Sequence, residues 1–293
     1  MCIRDRDTTN ANTGAGDDTV RIHAHANGDT NVAWALRDSS LATGTGDDDV
    51  EISGNALRSA ILTGDGLDTI RISGLETDEV HIDSGANDDM LRVDGGTQIS
   101  FVSGAGSDQL QLTRNYFTSL VEAETAAGDR LDSETPIAEE LSFEHSETSL
   151  GAHRDALKFE DFTTGAGGDS LNIDDILIGH GVDLQRDSLF ADGVLSFQQQ
   201  GHDSVLFFDA DGTDNQATSE RALVVFKGVQ ASEFSSDNLD STLIQHDDFS
   251  LHQALLPTAM PALVAETEAD PISGLGEDHA MGSSLDQAAS III

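Results

Sequence analysis

The sequence predicts an all-β chain: a parallel β-solenoid or β-roll, then a smaller C-terminal β domain, then a disordered tail. Three observations predict it. A ten-residue phrase recurs in step along the first 120 residues. Within each copy the aliphatic residues alternate, as in a strand with one buried face. The aromatic residues are held back: all twelve phenylalanines lie at or after Phe101, and ten lie at or after Phe143.

The phrase has the form [ST]-G-x-G-x-D-x-U-x-U, with U aliphatic. Thr13 to Ile22 reads T-G-A-G-D-D-T-V-R-I, and Thr43 to Ile52 reads T-G-T-G-D-D-D-V-E-I. Further copies run over Thr63 to Ile72, Ser84 to Val93, Ser103 to Leu112 and Thr164 to Ile173. From Gly44 the glycines fall at Gly64, Gly85 and Gly104, in steps of 20, 21 and 19. Weaker copies at Ser53 to Leu62 and Ser73 to Ile82 lie half-way, so two ten-residue units make one period. The first step, Gly14 to Gly44, is 30 residues and carries an insertion or a third side.

Each letter has a physical reason. Glycine permits positive φ and close backbone approach at a tight corner. The U-x-U pairs, such as Val50 and Ile52 or Ile70 and Ile72, suit a short half-buried strand. Strand, turn, strand, turn is one coil of a stack in which each coil buries its aliphatics against the next.

Stacking sets up chemistry. Equivalent turns about 4.8 Å apart place Asp48, Asp68, Asp89 and Asp108 in one carboxylate column, with Asp17, Asp18, Asp47 and Asp88 adding charge. Such a column repels itself unless a cation sits between the rungs. Calcium suits it, because this hard ion takes six to eight oxygens from carboxylates and carbonyls. The competing account is a metal-free stack whose Gly-Asp turns are simply good turn formers.

The phrase resembles the nonapeptide G-G-x-G-x-D-x-U-x of hemolysin-type calcium-binding (RTX) proteins. The resemblance implies that the turns bind calcium while U fills the core. Carried onto this chain, the ligating turns are Gly14, Gly16 and Asp18; Gly44, Gly46 and Asp48; Gly64, Gly66 and Asp68; Gly85 and Asp89; Gly104, Gly106 and Asp108; and Gly165, Gly167 and Asp169. Three departures matter. The first glycine is Thr or Ser in every copy, the unit has ten residues, and Asn87 replaces one glycine. Alternate turns lack the aspartate, as at Arg58, so fewer ions on one edge are expected.

The expected organisation is an RTX-like solenoid over 1–120, an acidic cap or linker over 121–157, a β domain over 158–245 and a disordered tail over 246–293. Strand-like runs in the third part are Leu157 to Phe159, Leu171 to Ile178, Val194 to Phe197, Ser204 to Phe208 and Ala222 to Phe226. This part resembles the target domain of type I secreted bacterial proteins through Thr164 to Gly179, Asp203 to Gly212 and Ala222 to Val229. Ser290 to Ile293 resembles the hydrophobic end of an uncleaved type I signal. Met1 to Arg6 resembles translated adapter sequence, so the chain is expected to be the tail of a longer protein.

Composition narrows the function. Asp and Glu number 54 against 14 Lys and Arg, a formal net charge of −40. Nucleic acid and anionic membrane repel such a surface. No window approaches 18 consecutive apolar residues, so membrane insertion is not expected. The single cysteine, Cys2, excludes a disulfide framework.

Catalytic motifs are missing. His23 and His25 have no evident third ligand for zinc, and Asp209, Asp211 and Asp214 do not match an EF-hand loop. The expectation is a non-catalytic, calcium-folded module of a secreted or cell-surface bacterial protein. Its partners would be calcium ions, the type I secretion machinery and a cell-surface or glycan target of the parent protein. The alternatives are a parallel β-helix enzyme on acidic polysaccharide and an adhesin stalk.

Overall fold

The computed structural model describes residues 2–4, 6–7, 10–24, 34–74, 77–122, 153, 155–180, 182, 189–210, 212 and 220–240. Met1–Leu256 forms one compact unit. Pro257–Ile293, which includes the expected export signal, lies outside the described residues, as does most of 121–157.

The described residues are mostly β, and most strands pair in parallel. One sheet has seven strands in the order β1 (Cys2–Arg4), β4 (Thr19–His23), β7 (Asp49–Ser53), β9 (Thr69–Ile72), β11 (Met90–Val93), β13 (Gln109–Leu112) and β15 (Ser170–Asn172). The other runs β2 (Arg6–Asp7), β5 (Trp34–Arg37), β8 (Asn55–Asp65), β10 (Asp78–Ala86), β12 (Ile99–Val102), β14 (Leu157–Phe159) and β18 (Arg221–Phe226). It ends in two antiparallel strands, β17 (Asp203–Phe208) and β16 (Leu195–Gln200). Beside it, β3 (Asn10–Ala15) pairs with β6 (Ser40–Thr45), and β6 with β8.

Register follows the repeat. In the first sheet Val20, Val50, Ile70, Leu91, Leu110 and Leu171 stand opposite one another in turn. In the second the column is Leu41, Ile61, Ile82, Phe101, Phe159 and Phe226. Every one of these side chains is buried. Burying a side chain of this size contributes about 1.5–3 kcal/mol, so the two columns hold the sheets together.

The change from aliphatic to aromatic along the second column marks where the core widens. Phe159, Phe162, Phe197, Phe226 and Phe234 pack ring against ring there, with centroids 4.4 to 6.3 Å apart. Both sheets pass across the expected boundary at 157/158, because β14 extends one and β15 the other.

One expected strand is corrected. Of the run Leu171 to Ile178, only the start is extended, within β15, and Asp174–Gly179 is a helix, α2. (An earlier helix, α1, covers 114–122.) Asp174 and Asp175 sit in the first turn of α2, where acids favour the positive end of a helix. Asn172 Oδ1 accepts the Asp174 N–H at 3.2 Å. Ile176 and Leu177 are buried together while Ile178 is 62% exposed, an order that a strand's alternation cannot produce.

The far edge of the second sheet bends at one residue per period: Asp38, Arg58, Glu79 and Gln98, with φ between 43° and 53°. Arg58 donates two hydrogen bonds to Asp38, at 2.7 and 3.0 Å, which holds the Asp38 carboxyl below its usual range. Arg58 thus offsets the negative charge of Asp38 on this edge.

Asn238, in the short 3-10 turn Ser236–Asn238, is fully buried against the turn at 164–169. Its Oδ1 accepts the Gly165 N–H at 2.9 Å and its Nδ2 donates to Asp169 O at 2.9 Å. Asn238→Ala strands a buried N–H and a buried carbonyl, which costs about 1–3 kcal/mol each. Denaturant unfolding should show the protein destabilised by about 2–5 kcal/mol; an unchanged midpoint would refute the role.

Candidate metal centre

The corners between β6 and β7, β8 and β9, β10 and β11, and β12 and β13 stack in register on one edge. Two glycine columns make the stacking close. A Cβ on Gly44, Gly64, Gly85 or Gly104 would lie 1.7 to 1.9 Å from the carbonyl oxygen of the equivalent glycine one coil earlier. These glycines have φ between 87° and 111°. Asn87, at φ 85°, occupies the second column where Gly46 and Gly66 stand in other rungs. Asparagine is among the few residues that tolerate this conformation.

The sixth-position aspartates form a continuous ladder. The Asp18 N–H donates to Asp48 Oδ1, Asp48 to Asp68, Asp68 to Asp89 and Asp89 to Asp108, each at 2.8 Å. The Asp108 N–H then donates to Asp169 Oδ1 at 3.0 Å, which brings the sixth corner into line. The last rung resembles the first in leaving open space where a Cβ on Gly165 or Gly167 would stand, and differs from the others in that Asp169 Oδ2 accepts the Thr163 N–H.

A second ladder runs the opposite way on the outside. Asp17 accepts from the Asp47 N–H, Asp47 from Leu67 and Asp88 from Ser107, at 2.9 to 3.0 Å. Both ladders satisfy corner N–H groups that no strand partner reaches, so each aspartate has a structural role through Oδ1.

The Oδ2 atoms have none. Those of Asp18, Asp48, Asp68, Asp89 and Asp108 are buried without a partner at ordinary hydrogen-bond geometry, although the Thr63, Ser84 and Ser103 hydroxyls lie near enough to favour the charged forms of Asp68, Asp89 and Asp108. Asp48, Asp68, Asp89 and Asp108 are at most 3% exposed. Two adjacent charges at a strand spacing of about 4.8 Å repel by roughly 3 kcal/mol at an effective dielectric near 20. Burial pushes the Asp89 carboxyl up to about 7 and the Asp169 carboxyl up to about 6. It raises Asp68 and Asp108 in the same direction. The column demands neutralisation, by protons or by a cation.

Two sets of site residues carried too little signal to be found by sequence reasoning. The first-position hydroxyls form a third ladder: Thr13 donates to Thr43 O, Thr43 to Thr63 O, Thr63 to Ser84 O and Ser84 to Ser103 O, at 2.9 to 3.1 Å. The invariable Thr or Ser at that position was the available signal. Asp161 closes the stack, accepting from the Ser103 and Gly104 N–H groups at 2.9 and 2.8 Å. Nothing in its sequence neighbourhood marks it.

His25, Asp211 and Asp214 lie outside the described residues. Among the described residues, no three His, Cys, Asp or Glu side chains converge as a metal-binding group, so a cation on this edge would need backbone oxygens as well. None of their helices is long and apolar enough to cross a membrane. The chain matches no family model, no curated protein and no solved structure.

Proposed function

We propose that this chain is a parallel β-roll that folds on calcium, the non-catalytic module of a secreted or cell-surface bacterial protein exported by type I secretion. The observation that carries the reading is the row of five buried, unpartnered Oδ2 atoms in consecutive rungs. Buried carboxylate oxygens without donors are what a hard cation replaces.

The residues present fit calcium. Asp18, Asp48, Asp68, Asp89 and Asp108 would supply carboxylate oxygens, and the glycine corners would supply carbonyls. Bound ions would neutralise the column and tie adjacent rungs. Ligand binding to the folded state alone adds about 1.4 kcal/mol per site at tenfold excess over Kd. Four sites would add roughly 5–6 kcal/mol, comparable with the whole stability of a small domain. In a calcium-poor cytoplasm the acidic chain would stay extended, which suits export through a narrow conduit, and it would fold outside.

Circular dichroism with calorimetric calcium titration tests this. Excess chelator should abolish the β signal and added calcium should restore it with saturable heat. Spectra identical in chelator and in calcium would defeat the reading.

A further inference from the structure

The outward residues of the seven-stranded sheet place Arg21, Glu51, Arg71, Arg92 and Gln111 opposite one another in consecutive strands. In a chain of net charge −40, this row of cations needs a reason. Arg21 is taken by Asp49 and Glu51, at 3.0 and 3.1 Å. The other Glu51 oxygen accepts from Ser53 at 3.2 Å. Arg92 is held by Asp94 at 2.9 Å and by the Gln111 amide oxygen at 3.1 Å. Glu51, Asp49 and Asp94 are thereby engaged by other donors. Arg71 stands exposed between Glu51 and Arg92 with no ion pair or hydrogen bond among the described residues.

We propose that this face binds a carboxylate-bearing linear polysaccharide, with the Arg71 guanidinium taking a uronate carboxylate. Arg92 adds positive charge one strand away, and the Gln111 amide N–H groups remain free to donate because only its oxygen is used. A guanidinium fork matches a carboxylate with two parallel hydrogen bonds. Arg71, Arg92 and Gln111 stand on consecutive strands about 4.8 Å apart, and Glu51 ends the run of donors on the other side of Arg71.

The chemistry of the face selects among ligands. β9 is paired on both sides, so it offers no edge for an added peptide strand. Thr69 and Ser73, the outward neighbours of Arg71, are small and polar and make no apolar pocket for a peptide anchor. The outward positions of β4, β7, β9, β11 and β13 carry no Phe, Tyr or Trp, so a neutral sugar has nothing to stack on. Screening beyond about 8 Å at physiological ionic strength lets a ligand carboxylate respond to Arg71 locally, despite the charge of the molecule as a whole.

The test is calorimetry of the full chain, in calcium, with a galacturonic acid hexasaccharide. Its carboxyl-reduced neutral counterpart and a glutamate hexapeptide serve as comparison probes. The acidic sugar should bind, the neutral sugar and the peptide should bind at least about tenfold more weakly, and Arg71→Ala should lose about tenfold or more in affinity. Lys158→Ala, on the other sheet, should bind as the unaltered chain does, and circular dichroism should be the same for both variants. No binding by the unaltered chain, equal binding by Arg71→Ala, or equal binding of either comparison probe overturns the proposal. Calcium bridging between the ligand and the aspartate edge would leave Arg71→Ala unaffected and so counts against it.

Discussion

Gly64→Ala is expected to be strongly destabilising, because this corner glycine, like Gly44, Gly85 and Gly104, has no room for a methyl. The new Cβ would lie 1.8 Å from Gly44 O and 2.9 Å from Gly44 C, both backbone atoms of the adjacent corner. Backbone held by two ladders has no rotamer into which to retreat. The residue also sits at φ 103°, a conformation that alanine adopts only under strain. Separating the corners would stretch the hydrogen bonds from Thr43 to Thr63 O and from Asp48 to Asp68 on either side of the glycine.

The loss should exceed about 4 kcal/mol, since overpacking and backbone strain add, and that is much of a typical domain's stability. Gly14→Ala is the control. It has a similar φ of 102° but open space at the Cβ, so it should cost only about 1–3 kcal/mol for strain. Equal melting temperatures for the two variants would show that close stacking of the corners is not what holds this edge.

The second large effect is a dependence of stability on pH that calcium reverses. Asp68, Asp89, Asp108 and Asp169 hold their protons in the folded state to higher pH than in the unfolded chain, because burial disfavours their charged forms. Between the ordinary value of 3.8 and about 7 for Asp89, or about 6 for Asp169, the folded state therefore binds more protons. Stability in chelator must then be greatest at low pH and fall as pH rises through that window. With saturating calcium the carboxylates are wanted ionised, and protons compete with the metal, so stability should rise over the same window.

Urea midpoints at about pH 5 and pH 8 in calcium, and the β signal in circular dichroism over the same range in chelator, read both slopes. Asp89→Asn sharpens the contrast, because an amide keeps the Oδ1 acceptor without the charge. It should stabilise the chelated protein at pH 8 and weaken the calcium response. Matching slopes with and without calcium would remove the aspartate column as the metal's seat.

How much of this was legible depended on local repetition. The corners at Gly44, Gly64, Gly85 and Gly104 and their aliphatic partners recur at a fixed step, and a fixed step in a parallel sheet becomes a register. Asn87 was visible as a departure from the pattern, and its φ of 85° explains why the position tolerates it. Asp161 and Asn238 were not legible, because each occurs once and the contacts that tie them to the corners span more than 50 residues of sequence. The helix at Asp174–Gly179 was misread because its aliphatic run fits a strand equally well until burial on its neighbours separates the two.

The amino-acid sequence by itself determined the period, the buried columns and the alignment of the aspartates, since identical short units can only stack with like on like. Tertiary structure alone decided that each carboxylate spends one oxygen on a neighbouring N–H and leaves the other buried without a partner. It also decided that β14, β15 and β18 extend the same two sheets, and that Arg71 alone in its row lacks an acceptor among the described residues. The physical reason is that hydrogen bonds and ion pairs between coils are allocated among all acceptors within reach, and that competition is resolved only when the coils are brought together.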